Sequence, residues 1–284
     1  MIGGYGGLGV IVEATLDLAD NAKVKRRDRT MPVTEYKRFF DDHVRSSSAV
    51  FHHADFYPDA FDTVHAVTYS KTDDPVTISE RLRPDGRSYR LDRFAYWVVS
   101  EWPFGDALRR RVVDPILYRD EPVSWRNYEA GYDTAALEPA SRQSATYVLQ
   151  EYFIPPDRFD EFVPVLRDVL QRHRANVVNI SIRHARQDPG SLLAWARSEV
   201  FGFVIYYKQG TTTFAHQEVG VWARALIDAS VNAGGSYYLP YQLHATEAQF
   251  LRAYPRAAEL FALKKRLDPA NKFRNALWDT YYHP

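Results

Sequence analysis

Tyr147-Val148-Leu149-Gln150-Glu151-Tyr152-Phe153-Ile154 reads as a β-strand, and Pro155-Pro156-Asp157 directly after it reads as a helix start. An amphipathic helix over 158–173 follows, then a strand at Val177–Arg186, a loop at 188–198 and a strand at Val200–Lys208. A second helix, Phe214–Ala233, ends at Gly234-Gly235, and Tyr237–Tyr241 makes a short last strand. This β-α-β-β-α-β order is the split βαβ arrangement, in which helices cover one face of an antiparallel sheet. The fold class it implies is α+β, with a mainly antiparallel sheet flanked by helices.

Upstream, the basic stretch 23–31 reads as a strand. Pro32 precedes a helix with Tyr36, Phe39, Phe40 and Val44 on its apolar face, and strands follow at 48–56 and 62–70. Residues 71–90 are polar, with Asp74-Pro75 and Pro84-Asp85-Gly86 as turn signals. The aromatic stretch 91–117 reads as helical, divided at Pro103. Residues 118–143 read as a loop, long enough to be functional or to wrap around the domain. Residues 246–267 give one or two helices around Tyr254-Pro255. No internal repeat or low-complexity tract is visible.

Composition bounds the function. The 284 residues carry 36 Lys plus Arg against 36 Asp plus Glu, and this balance lacks the basic footprint of a nucleic-acid binder. Cysteine is absent, which removes disulfides, thiolate zinc sites and cysteine nucleophiles. No apolar run approaches the ~18 residues of a membrane span. Met1-Ile2-Gly3-Gly4 has neither the basic start nor the apolar stretch of a signal peptide, so a cytoplasmic location is expected. Aromatic residues reach 14%, which suits an apolar core and also a pocket with polar tips.

Gly4-Tyr5-Gly6-Gly7-Leu8-Gly9 matches G-x-G-x-x-G, but a dinucleotide loop of that kind follows a strand and opens a helix. Here residues 8–18 alternate, with Leu8, Val10, Val12, Ala14, Leu16 and Leu18 on one face, which reads as a strand after the glycines. The glycines therefore serve a tight turn or a close approach of backbone to a flat ligand. His52-His53-Ala54-Asp55 resembles a metal cluster only superficially. The two histidines point to opposite faces of a strand, which leaves His53 and Asp55, too few ligands for a site. No metal is expected.

Gly3-Gly4-Tyr5-Gly6-Gly7-Leu8-Gly9-Val10-Ile11-Val12-Glu13-Ala14-Thr15 resembles the end of the FAD-binding domain in vanillyl-alcohol-oxidase-like flavoproteins, the FAD-linked oxidases with a PCMH-type FAD domain. Trp125-Arg126-Asn127-Tyr128-Glu129 with Tyr132-Asp133 and Leu137-Glu138-Pro139 looks like the entry into that family's cap sheet. Tyr238-Leu239-Pro240-Tyr241 with Thr246, Phe250 and Tyr254-Pro255 resembles the return to the FAD domain. Asp268-Pro269 followed by Phe273-Arg274-Asn275 resembles the C-terminal signature. The nearest likeness is to the sugar, alditol and aldonolactone oxidases and the decaprenylphosphoryl-ribose oxidases. It covers the whole chain but only the second half of the usual family protein. It implies residues 1–19 as the end of an FAD-binding domain, 20–244 as the substrate (cap) domain and 245–284 as the return to the FAD-binding domain. It implies FAD as cofactor, contacted by Gly4, Tyr5, Gly6, Gly9, Val10, Ile11, Arg274 and Asn275. The family's pyrophosphate loop has no counterpart here. The resemblance thus implies a separate chain carrying the N-terminal half, weak FAD binding without it, and an exposed patch where it docks.

Glu151 shares a face with Leu149 and Phe153, and Arg183 with Ser181 and Asn179, on two strands expected to be neighbours. The resemblance implies that both line the pocket over the flavin, with Arg183 orienting a hydroxyl or stabilising negative charge. A solvated cross-strand ion pair is the bland alternative. Relatives carry Glu-x-Arg on this strand, whereas the glutamate position here is Ser181. Tyr241 stands where some relatives carry a lysine, and as a phenol it would donate a hydrogen bond, or act as a base if its pKa were lowered. Tyr132, Lys208 and His244 complete the expected substrate-binding set. The activity implied is oxidation of an alcohol group of a polyol, sugar or lactone, with hydride passing to the flavin. The other reading is a non-catalytic ligand-binding or truncated cap fragment without FAD. A nicotinamide-binding domain is disfavoured by the strand expected after Gly9.

Overall fold

Alternation of side chains along the strands decides where the core lies. The computed structural model describes residues 1–58, 60–84, 105–131 and 141–284. The chain runs β1 (Lys23–Pro32), α1 (Val33–His43), β2 (Ala49–Phe56) and β3 (Thr63–Lys71). A helical stretch, α2, occupies 105–117, and its middle, Arg109–Val113, is a π-turn. Then come β4 (Val123–Trp125), α3 (Arg126–Ala130), β5 (Ala145–Ile154), α4 (Phe159–Arg172), β6 (Val177–Ala185), β7 (Val200–Gly210), α5 (Thr213–Asn232) and β8 (Ser236–Tyr237). Three helices close the chain: α6 (Glu247–Ala253), α7 (Ala257–Leu267) and α8 (Ala276–Tyr281).

All eight strands form one sheet in the order β4-β1-β3-β2-β6-β7-β5-β8, antiparallel throughout. The α+β class and the helix-flanked antiparallel sheet are as expected. Phe201, Phe203, Ile205 and Tyr207 of β7 point toward α1, α4 and α5 and are almost wholly buried. Those helices present matching stripes: Tyr36 and Phe40 on α1, Phe159, Phe162 and Leu166 on α4, Trp222, Ala223 and Leu226 on α5. The aromatic side chains mesh edge to face, as in Phe40 with Phe201 at 4.9 Å and Phe162 with Phe203 at 5.0 Å. Phe250, Tyr254, Leu260, Trp278 and Tyr281 of the C-terminal helices join the same apolar cluster.

Four expectations need correction. Residues 8–18 form no strand: Val10, Val12, Leu16 and Leu18 are exposed, and no backbone N–H from 8 to 21 reaches a backbone carbonyl among the described residues. Alternation supplies the faces of a strand, but a strand also needs a neighbour to complete its ladder. The stretch 118–143 is not all loop, since it holds β4 and α3, and part of it lies outside the described residues. The strand expected at 237–241 pairs only through Tyr237, and the helix α8 was not anticipated.

The fourth correction concerns repetition. The first four strands, in the order β4-β1-β3-β2, and the last four, in the order β8-β5-β7-β6, have the same split βαβ topology. They join edge to edge where β2 pairs with β6. The repeat lies in the connectivity and leaves no trace in the residues. Phe203 stands at the middle of the second unit's core, in contact with Phe56, Phe159 and Phe162. Phe203→Ala is expected to lower unfolding stability by about 3–5 kcal/mol in urea titration. Val221→Ala, at an exposed position of α5, should change it by less than about 0.5 kcal/mol.

Candidate active site

The helices seal one face of the sheet, and the far face carries the polar residues. On β7 the far face shows Gly202, Val204, Tyr206 and Lys208. Glu151 of β5 lies opposite Val204, and Phe153 of β5 and Arg183 of β6 flank Gly202 from either side. Glu151 and Arg183 are therefore not on neighbouring strands as expected. The crossover through α4 leaves a one-strand gap between β5 and β6, and β7 fills it. Glycine at 202 keeps the two in communication, because a Cβ there would lie 3.3 Å from both Glu151 Oε1 and the Phe153 ring. With no side chain on the intervening strand, the carboxyl leans over the backbone toward the guanidinium.

Glu151 is half-buried. Burial pushes its carboxyl up to about 7, with the nearby Arg183 charge opposing the rise. Arg183 is exposed, and no carboxylate among the described residues comes within ion-pair distance of it. Tyr241 joins this pair. Its phenol is pushed up to about 12 by burial first and then by the Glu151 charge. It is therefore a hydrogen-bond donor at neutral pH, which removes the base role considered from sequence. The Tyr238 ring meets Tyr241 at 5.0 Å and Phe153 at 6.1 Å, and Phe153 stacks on Trp195 at 4.3 Å. The Tyr238 N–H donates to the Glu151 carbonyl at 2.9 Å, which holds this aromatic wall beside the carboxyl after the β8 ladder has ended.

The glycine segment arrives from the opposite end of the chain. Gly3, Tyr5, Gly6 and Gly9 all have positive φ, at 74°, 46°, 75° and 143°. Glycine adopts such angles freely, whereas Tyr5 does so at a cost and needs holding in place. Asn275 does the holding, since its Nδ2 donates to the Tyr5 carbonyl at 2.7 Å while its Oδ1 accepts from Leu277 and Trp278 N–H and caps α8. Trp278 Nε1 donates to the Gly4 carbonyl at 3.2 Å. Gly7 lies so close to the Trp278 ring that a Cβ would overlap it. Burial raises the Tyr5 phenol, with the Tyr238 and Asp188 charges adding to the rise, and Tyr5 packs against the apolar cluster on the helix side of the sheet. The expected meeting of the glycine segment with the Phe273–Asn275 tail is found.

Other expected residues are elsewhere. His244 lies on the helix side of the sheet, where its Nε2 bonds Gln242 Oε1 at 3.0 Å and its ring packs over Gly220 of α5. Gln150, which alternates to that side, holds the Gln242 carbonyl at 3.3 Å and draws the segment with it. Burial and Arg224 lower the His244 imidazole to about 4. Lys208 shares the face of Glu151 but lies four residues along β7 from Val204, roughly 13 Å at ~3.3 Å per residue. Arg274 is turned onto α8, its Nε 2.7 Å from Asp279. Val10 and Ile11 are exposed, and Tyr132 lies outside the described residues. Gly202, Tyr238 and Trp195 were missed. Only the i,i+3 spacing of Tyr238 and Tyr241 hinted at a shared surface. His52 bonds Tyr36 and Thr68 through its two ring nitrogens. Among the described residues no three His, Cys, Asp or Glu are grouped to hold a metal ion.

No family model and no curated protein matches the chain. Among solved structures it is similar to 6-hydroxy-D-nicotine oxidase from Arthrobacter nicotinovorans, at 17% identity and a TM-score of 0.46, over 89% of this chain and 54% of that one. It is similar also to BBE-like protein number 28 from Arabidopsis thaliana, at 10% identity and a TM-score of 0.44, over 92% and 57%. A variant of berberine bridge enzyme gives 8% identity and a TM-score of 0.45, over 94% and 57%. The chain thus spans little more than half the length of these structures, and the likeness is one of fold alone. No helix among the described residues is long and apolar enough to cross a membrane.

Two outcomes test the geometry. A carboxyl whose pKa is higher folded than unfolded favours folding at low pH, and that contribution is lost as pH rises through the folded value. Glu151→Gln should therefore melt like the parent at pH 4.5 and increasingly above it as pH approaches and passes about 7, in thermal scans across that range. Gly7→Val should displace the glycine segment from Trp278. Amide hydrogen exchange of residues 3–9 is expected to accelerate at least about tenfold while the β7 amides keep their protection.

Proposed function

We propose that this chain is the substrate-domain part of an FAD-dependent oxidoreductase that oxidises an alcohol group of a polyol, sugar or lactone. The observations that carry the reading are the meeting of both chain ends through Asn275 and Tyr5 and, on the far face of the sheet, a carboxyl, a guanidinium and a phenol from Glu151, Arg183 and Tyr241. Alcohol oxidation removes a hydride from carbon and a proton from oxygen. Glu151, poised at about 7, is a suitable acceptor for the proton. Arg183 donates to the same oxygen and stabilises the negative charge that grows there as the proton leaves. Tyr241 donates a second hydrogen bond and sets the orientation of the substrate. Phe153, Tyr238 and Trp195 supply an apolar wall for the carbon skeleton.

FAD, when bound, supplies the hydride acceptor. The residues fit one flank of such a group, because Gly6 and Gly9 present main chain without a side chain, Gly3 being packed on Ser191, and the backbone N–H groups of 8–21 are uncommitted among the described residues. The proposal assigns the cofactor's diphosphate to a second segment or polypeptide, which would also cover Val10, Val12, Leu16 and Leu18. It places residues 1–19 and 245–284 with the FAD-binding part and 20–244 with the substrate part, in a cytoplasmic protein. The exposed segment favours the alternative in one respect, since an uncovered 8–21 suits a chain that binds ligand without turnover.

Co-purification with a polypeptide carrying the diphosphate-binding half, followed by a panel of polyols, sugars and lactones with a dye acceptor, tests the reading. The pair is expected to be yellow and active. Glu151→Gln should lower kcat by about 10²–10⁴-fold with flavin content unchanged. Full flavin loading with turnover indifferent to both Glu151→Gln and Arg183→Met would overturn it.

A further inference from the structure

The helix α2 is inside out. It lies across the far face of the sheet, and what it turns toward the protein is polar. Asp114 accepts from the Tyr57 hydroxyl at 2.7 Å, Arg109 donates to Asn179 Oδ1 at 3.2 Å, and Arg26 donates to the Leu117 carbonyl at 2.7 Å. The π-turn makes this possible. The Asp114 N–H bonds back to the Arg109 carbonyl, five residues earlier, which stacks both side chains on the inward side with Arg109 Nε 3.6 Å from Asp114. The outward side is Val112, Val113, Ile116 and Leu117, exposed by 45%, 37%, 70% and 56%. A helix on a water-soluble surface normally shows the reverse pattern. The inward anchors hold this helix in place, so the apolar face cannot turn away from solvent.

We propose that α2 docks the protein on an anionic lipid surface. Charge selects this occupant. Within residues 107–119 the single carboxylate, Asp114, is buried under the helix, whereas Arg111 and Arg119 are exposed at the two ends of the apolar face. Beyond Arg119, Asp120 and Glu121 are both exposed, and Glu121 is held in ion pairs with Lys25 and Arg27. An apolar stripe framed by arginines is what an interfacial helix presents to acyl chains and acidic headgroups together. A second copy of the same face would bring the arginines of both copies together.

Sedimentation of the full chain with vesicles tests this. The protein is expected to pellet with vesicles of equal parts phosphatidylglycerol and phosphatidylcholine, to stay in solution with pure phosphatidylcholine, and to be released by salt. Ile116→Glu with Leu117→Glu should lower the bound fraction at least about tenfold without shifting the melting temperature, both positions being exposed. Arg111→Glu, which keeps the apolar face intact, should weaken binding to the acidic vesicles alone. A protein that stays in the supernatant with acidic vesicles, or binds neutral ones equally, overturns the proposal. So does a dimer in sedimentation equilibrium that the double variant converts to monomer, which would make a second copy the occupant.

Discussion

The two-residue period of β7 is the constraint on which the molecule depends. Every second side chain, Phe201, Phe203, Ile205 and Tyr207, is buried against helices. Each such burial contributes about 1.5–3 kcal/mol relative to exposure. The alternate positions are then bound to appear on the far face, and so are those of the strands registered to β7. Glu151, opposite Val204, and Arg183, opposite Gly202, lie diagonally across β7 on the far face because Tyr152 and Ile182 are needed on the other side. A one-residue slip would place a carboxylate and a guanidinium against Phe159 and Trp222, so the core itself enforces the register of the polar site.

The connection between the chain ends has a different physical basis. Lys264, wholly buried, donates to Asp268 and to the Phe273 carbonyl at 2.7 Å, and Asp268 also accepts from the Lys272 and Phe273 N–H groups. These bonds hold the Asp268 carboxyl down at about 2. Removing one partner of such a pair strands the other charge in the interior, at a cost of about 3–5 kcal/mol. The result is a fixed turn, with Asn271 in the left-handed region at φ 49°, that delivers Asn275 to the start of α8 and to Tyr5. The residue types of the Asp268–Asn275 segment are thus explained by the hydrogen bonds they make, and their effect is to position a loop that begins 270 residues away in sequence.

Periodicity made the strands from 145 to 210 and the helices between them legible, because burial on one face leaves its pattern in the residues. The same reasoning failed at 8–18, where Val10 and Val12 alternate correctly but have no ladder partner among the described residues. It failed again for the neighbours of β5, since no local signal tells that β7 inserts between β5 and β6. His244 was assigned to the site by its closeness to Tyr241 in sequence, and a single hydrogen bond from Gln150 to Gln242 turns it to the other side. Gly202 left no signal, because its contribution is the absence of a side chain between two charged ones.

The doubled topology explains why the polar site is in the second half of the sheet. One row of far-face residues crosses eight-residue and eleven-residue strands alike, running Thr30, His65, Asp55, Ser181, Val204, Glu151. Asp55 and Ser181 are paired at the junction of the two units, so Thr30 corresponds to Glu151 and His65 to Val204. In the first unit the row is consumed internally. His65 Nδ1 bonds Thr30 at 2.9 Å, Asp55 accepts from Asn179 at 3.1 Å, and Tyr118, just beyond α2, lies on the His65 ring at 4.3 Å. In the second unit nothing comparable among the described residues closes over Glu151, and the wall beside it is Tyr238 and Tyr241, whose segment follows β8 out of the sheet. Two equivalent faces are built, and α2 anchors itself mainly to the first, through Tyr57, Arg26 and Tyr118, while the second carries Glu151 and Arg183.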